Sequence, residues 1–274
     1  MIRALLPDFP AYATPLDKLG WWALRLACVG VLAFLLVPIV VIVPLSFADS
    51  SFLAYPIPGW SLKWYQNLFS SGDWTRAARN SFIVAPLATV IATVLGTLAA
   101  VGLARADFPF KGTLMSLLIA PMVVPIVVVG VATYLFFAPL GLVDSYAGLI
   151  IVHAALGAPF VLTTVLATLA GFNHNLVRAS LSLGETPFRT FMRITLPVIA
   201  PGVISGALFA FATSFDEVVV TLFLAGPDQV TLPRQMFTGI RENISPTIAA
   251  VATLLIVFTT SLLLALEWLR GRGR

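Results

Sequence analysis

Six apolar runs, each long enough to cross a bilayer as a helix, leave this chain little choice of architecture. They are Leu26–Phe47, Ser81–Ala104, Thr113–Ala138, Ala147–Gly171, Val198–Leu224 and Thr247–Glu267, against the roughly 20 residues needed to cross about 30 Å of hydrocarbon. Inside hydrocarbon every backbone N–H and C=O must find a protein partner, which restricts spans to helices and closed barrels. The alternating segments of about ten residues that a barrel needs are absent. Only 10% of residues are charged and 59% are hydrophobic, far from the roughly one-quarter charged of a soluble domain. The expectation is an all-α membrane protein with six transmembrane helices. A cytoplasmic lead-in covers 1–25, a transmembrane domain 26–270 and a cytoplasmic tail 271–274, with the longest cytoplasmic loop at 172–197.

Orientation follows from Lys and Arg, which concentrate in cytoplasmic loops. With both termini cytoplasmic, the inner segments hold Arg3, Lys18, Arg25, Arg105, Lys111, Arg178, Arg189, Arg193, Arg270, Arg272 and Arg274. The outer ones hold Lys63, Arg76, Arg79, Arg234 and Arg241. Eleven against five is a clear inward bias. The net charge of +4 is mostly this excess, so no nucleic-acid partner is expected; the partner by default is membrane lipid. The first apolar run is too long for a signal-peptide core and lacks a small-residue cleavage pattern, so the first span is expected to stay. Cys28 is the single cysteine, which excludes an internal disulfide.

Several polar features stand out against this background. The first outer loop, 48–80, carries Trp60, Trp64, Tyr65 and Trp74; its amphipathic pieces suit either the membrane surface or a ledge for an extracytoplasmic partner. Pro86, Pro121, Pro125, Pro159 and Pro201 lie in or beside spans, where proline frees carbonyls and kinks helices. His153 sits in the fourth span, read as helix packing through one hydrogen bond or as part of a path. No G-x-x-x-x-G-K-[ST] phosphate loop occurs, so no ATP site, no metal site and no catalytic residue is expected on this chain.

The fifth span is the most specific. At about 100° per residue, Gly202, Gly206 and Ala210 form a small-residue stripe on which another helix can pack closely. On a continuous helix Asp216 and Glu217 straddle the same face, with Phe211, Thr213 and Phe215 close by. An ionised carboxylate facing lipid is costly. The two acids are therefore expected either to line a water-filled path or gate for a cationic solute, aided by cation–π attraction, or to pair with Arg234 or Arg241.

Between the fourth and fifth spans lies RASLSLGETPFRTFMRITLP, Arg178 to Pro197. Its Ala179, Gly184, Ile194, Leu196 and Pro197 resemble the Glu-Ala-Ala, three residues, Gly, nine residues, Ile-x-Leu-Pro signature of permease subunits of bacterial ABC importers. Arg178 replaces the signature Glu and Ser180 its second Ala. The stretches FATSFDEVVVTLFLAGP and TLPRQMFTGIRENISPTIAAVATLL resemble the fifth span, last outer loop and sixth span of spermidine/putrescine permeases. The resemblance implies a type I ABC importer permease fold in the bacterial inner membrane. It implies a coupling helix in the 172–197 loop that docks on an ATPase subunit, with Phe188 and Phe191 as knobs. It further implies a second permease chain, two ATP-binding subunits holding ATP and Mg, and a periplasmic binding protein. Alternating access would move a polyamine; an amine, opine, amino-acid derivative or aminophosphonate is the alternative. From the residues alone, an ion-driven carrier using Asp216 and Glu217, and an intramembrane enzyme pairing His153 with Asp216, remain competitors.

Overall fold

The computed structural model describes residues 12, 14–105, 107–242 and 245–272, with side chains described as far as 262 and at 264. Arg3 and Arg274, most of the lead-in before Thr14, the end of the tail, and the side chains of Arg270 and Arg272 lie outside the described residues. Among the described residues twelve α-helices follow in order: α1 Pro15–Leu45, α2 Lys63–Ser70, α3 Gly72–Arg105, α4 Lys111–Ile119, α5 Ile126–Phe137, α6 Tyr146–Leu169, α7 Asn175–Ser182, α8 Pro187–Thr190, α9 Leu196–Phe215, α10 Val219–Leu224, α11 Leu232–Glu242 and α12 Pro246–Arg272. Among the described residues the β-pairing amounts to one isolated bridge, Ala48 to Trp60.

The chain divides into two compact units, Met1–Leu68 with Ile244–Arg274, and Phe69–Asn243. The first unit is built on α1, which starts eleven residues before the expected span. Its start is fixed by a capping box, in which the Asp17 N–H donates to Thr14 Oγ1 at 3.3 Å and the Thr14 N–H to Asp17 Oδ2 at 2.9 Å, with Pro15 in the first turn; both are strong start signals. The apolar window of α1 is wholly uncovered, as expected of a helix whose solvent is lipid. Beyond it, the loop is tied down by Trp64 Nε1 donating to Ala48 O at 2.8 Å and by a hydrogen bond between Ser46 and Tyr65 at 2.7 Å.

The second unit is organised around α6, which is buried along most of its length. A Cβ on Gly96 of α3 would lie 2.8 Å from Ala158 O, and one on Gly157 would lie 2.9 Å from the Ala210 Cβ of α9. One on Gly202 would lie 2.9 Å from Thr164 O, and one on Gly206 2.6 Å from Val161 Cα. Glycine is thus used on α3, α6 and α9 where the backbones touch. Lipid is as apolar as leucine, so helices in a membrane associate through such close packing. The Thr164 and Thr168 hydroxyls facing these glycines donate back to Phe160 O and Thr164 O at 2.9 and 3.0 Å, so neither hydroxyl is stranded against them.

Two expected spans are not single helices. Between Lys111–Met122 and Ile126–Leu140 the chain bends by 101°, where one span, Thr113–Ala138, was expected. Pro121 and Pro125 bracket the bend; proline lacks the N–H that would continue the ladder and disfavours helix in the residue before it. The fifth span, expected over Val198–Leu224, ends at Phe215 and resumes at Val219. Counting the bent pair as one, five elements have the length and composition to cross a membrane. The described apolar part of α12, Pro246–Leu262, is shorter. The 172–197 segment is also mostly helical rather than a loop, and helix runs unbroken from Pro187 to Phe215.

Candidate functional site

The break in the fifth span follows from its residues. Val218, Val219, Val220 and Thr221 are β-branched and restricted in a helix, and two adjacent acids at a helix C-terminus oppose its dipole. Ending α9 at Phe215 and starting afresh at Val219 converts one acid from a misplaced to a favourable position. Glu217 Oε1 accepts from the Val220 N–H at 2.8 Å, at the N-terminal end of α10. At the other end, the Arg234 guanidinium donates to Thr221 O at 3.3 Å and to Ala225 O. This six-residue helix has an anion at its positive end and a cation at its negative end, the favourable sense at both. Burial pushes the Arg234 pKa down from its ordinary value, with Asp144 opposing; the group stays charged at any physiological pH.

Asp216 is different. It is exposed, and its own backbone N–H closes the last turn of α9 on Ala212 O at 3.0 Å. No ion pair among the described residues involves Asp216 or Glu217. The alternative pairing with Arg234 or Arg241 is not made among the described residues: Arg234 serves the α10 carbonyls, and Arg241 lies over the Phe237 ring at 5.9 Å. The two acids also do not straddle one helical face, because the helix that would carry both has ended.

At the end of α9, just before Asp216 in the chain, three aromatic rings gather. Phe211 and Phe215 stack at 5.3 Å, and Phe82 of α3 meets Phe215 edge-on at 5.5 Å. The sequence reading misses Phe82, since nothing along the chain ties residue 82 to residue 215. Thr213 is half-buried near the end of α9. His153, 1% exposed, lies within 2.8 Å of Ser214 Oγ through Nδ1 and 3.4 Å of Thr221 Oγ1 through Nε2. Both ring nitrogens are engaged by hydroxyls, which removes the His153–Asp216 dyad that an intramembrane enzyme would require.

The second group of predicted residues lies on α7, α8 and the start of the fifth span. Helix α7 ends in a Schellman motif: the Glu185 N–H donates to Ser180 O at 3.3 Å and the Gly184 N–H to Leu181 O at 3.0 Å, with Gly184 at φ +86°. Glycine is favoured there because a side chain is strained at that φ. Thr186 and Pro187 then start a new helix, Thr186 Oγ1 accepting from the Arg189 N–H at 3.4 Å. A wide π-helical turn over Phe191–Thr195, which contains Ile194, leads into α9 at Leu196 and Pro197.

Ser180, which replaces the signature alanine, is buried and hydrogen-bonds to buried Thr190 at 2.9 Å, tying α7 to α8. Glu185 bridges two cations, Arg193 at 2.7 Å and Arg189 at 4.0 Å. Arg178 and Ala179 are exposed. Phe188 is 68% exposed and Phe191 half-buried, whereas Leu183, which the sequence reading passes over, is 86% exposed. Leu176, Leu181 and Met192 add further uncovered apolar surface.

Over residues 92–273 the chain matches the family described as binding-protein-dependent transport system inner membrane component. It is 31% identical over 249 residues to the spermidine/putrescine transport system permease protein PotC of Shigella flexneri, covering 89% of this chain and 94% of that one. It is 33% identical over 243 residues to the putrescine transport system permease protein PotI of Escherichia coli K12, covering 86% and 85%. Among solved structures, a bacterial ABC transporter involved in import of the acidic polysaccharide alginate superposes with a TM-score of 0.74 at 12% identity, covering 96% of this chain and 99% of that one; at that identity the likeness is one of fold. With its long apolar helices and a family match spanning both groups of residues above except Phe82, this chain is a multi-pass inner-membrane transport subunit and belongs to the binding-protein-dependent inner-membrane components of ABC importers.

Proposed function

We propose that this chain is the permease subunit of an ATP-driven importer of small organic cations of the polyamine class. The observation that carries the reading is Asp216: an exposed carboxylate without an ion-pair partner among the described residues, at the negative end of α9, beside stacked Phe211 and Phe215. A helix C-terminus, a carboxylate and aromatic faces all favour a cation. The names of the 31–33% identical relatives agree with that chemistry. Glu217 acts on the same region through the fold, by capping α10.

Both termini are cytoplasmic in this reading, as the Lys/Arg bias indicates. The segment from Arg178 to Pro197 is the coupling element, with Leu183 and Phe188 as the apolar anchors seated in an ATPase subunit and Phe191 partly supporting them. The assembly comprises this chain, a second permease, two ATP-binding subunits that hold ATP and Mg, and a periplasmic binding protein. Transport proceeds by alternating access.

The test is to co-express the chain with its cognate subunits, purify through a tag on this chain, and reconstitute into liposomes. Co-elution of an ATPase and ATP-dependent uptake of putrescine or spermidine supplied with the binding protein is the expected result. Uptake of an aminophosphonate, opine or amino-acid derivative with none of polyamine would refute the substrate class. Uptake by this chain alone, collapsed by an uncoupler, would refute the ATP-driven reading.

A further inference from the structure

Within the second unit, the two halves of the fifth span are packed on different neighbours. Helix α9 is seamed to α6 through Gly202, Gly206 and Ala210. Helix α10 is seated chiefly on α5, where a Cβ on Gly130 would lie 2.6 Å from the Phe223 ring, and its Val220 and Leu224 also pack in an apolar cluster with Leu149, Val152 and Leu156 of α6. Asp216, Glu217 and Val218 are the backbone joint between the halves. His153, on α6, bridges the same joint with its side chain. Its short bond, 2.8 Å to Ser214, lies inside the α6–α9 body; its long bond, 3.4 Å to Thr221, crosses to α10. The Thr221 hydroxyl donates to Glu217 O at 3.1 Å, so its oxygen is left to accept from Nε2–H, and Nδ1 accepts from Ser214.

We propose that the His153–Thr221 hydrogen bond is a latch that fixes α10 against α6 across an otherwise apolar contact, opened and remade in each transport cycle to reposition Asp216. His153 is a positioning residue and does not touch solute. Close-packed interfaces switch between discrete arrangements more readily than they deform, so motion concentrates at a joint of three residues. This inference rests on the alternating-access reading above.

The test uses the assembled transporter in a Cys28→Ser background, with spin labels at Ile151→Cys on α6 and Leu222→Cys on α10, both exposed positions. Pulsed electron resonance on the complex is expected to give two label separations whose proportions change when a non-hydrolysable ATP analogue binds. Thr221→Val is expected to shift those proportions about two- to tenfold toward the released separation, what one net hydrogen bond is worth. Thr221→Ser restores them, and Ser214→Ala, which cuts a bond inside one body, leaves them unchanged. A purely structural role predicts lower melting temperatures without a change in proportions. A single separation insensitive to nucleotide overturns the latch without any variant, and so does a Thr221→Val complex indistinguishable from Thr221→Ser. An unlabelled complex that takes up no polyamine overturns the function reading, whereas normal uptake with a fixed α10 overturns the latch alone.

Discussion

Neutralising the two acids of the joint separates their roles. Asp216→Asn keeps shape and removes a charge that has no ion-pair partner among the described residues. It also removes an acid from the unfavourable end of α9, which is worth about 0.3–1 kcal/mol in favour of the fold, so melting should hold or rise slightly. Its effect on a bound cation is larger. Two unit charges 4 Å apart interact by about 1 kcal/mol in water and about 4 kcal/mol at the effective dielectric of a protein surface. The exposure of Asp216 places it toward the watery limit, so roughly 1–2 kcal/mol, or about five- to thirtyfold in apparent KM, is expected for the nearest ammonium. Glu217→Gln has the opposite profile, because it weakens the carboxylate cap on the Val220 N–H. About 1 kcal/mol of cap and dipole energy corresponds to a fall of about 2–4 °C in Tm for a domain of this size, with a smaller change in KM. Uptake of a monoamine, a diamine and a triamine into proteoliposomes, with detergent melting on the same preparations, measures both. The KM penalty of Asp216→Asn should grow with solute charge. An unchanged KM for all three amines refutes the assignment of Asp216, and a stability loss confined to Asp216→Asn refutes the division of labour.

Gly206→Leu should abolish assembly or transport, since even a Cβ there would stand 2.6 Å from Val161 Cα; Leu98→Val, at an exposed position on α3, should be silent in the same co-purification assay. Leu183→Ala and Phe188→Ala together should lower ATPase retention by at least tenfold on washing, as loss of interface anchors does, while the chain remains inserted; unchanged retention would remove the coupling assignment. Ser180→Ala or Thr190→Val alone should cost about 1–2 kcal/mol by orphaning a buried hydroxyl, and the double variant should recover most of it. Additive losses in melting would show that the 2.9 Å contact carries no coupling.

The family and the all-helical membrane class were legible because they rest on long signals: apolar runs of known length, and the stretch from Phe211 to Pro227 read with its neighbours. Pro121 and Pro125 announced the bend in the third span, but proline is common in membrane helices and its presence does not give an angle. The break after Phe215 was missed because periodicity assumes a continuous helix, whereas acids at an end and a β-branched run decide otherwise. Asp216 and Glu217 look equivalent in the sequence. What separates them is an N–H three residues on and an arginine seventeen residues beyond Glu217, contacts that no spacing rule encodes. Phe82 and His153 join the site only through the packing of α3 and α6, and Leu183 stands out only once the Schellman turn has aimed the chain away from the helices.

The unbroken helix from Pro187 to Phe215 has a mechanical consequence. Twenty-nine residues at about 1.5 Å each make a rod of roughly 43 Å, carrying Phe188 at one end and delivering Asp216 at the other. Its tightest seam, at Gly202 and Gly206, lies partway along and binds it to α6, so α6 and α9 turn as one body about that level. From Gly206 the arm to Phe191 is about 22 Å and the arm to Asp216 about 15 Å. A rocking of about 10° then displaces the first by about 4 Å and the second by about 2.6 Å in the opposite direction. A lever with unequal arms exchanges travel for force, so in the coupling role proposed above work done by nucleotide at the long end would arrive at the acid as a shorter, stronger stroke.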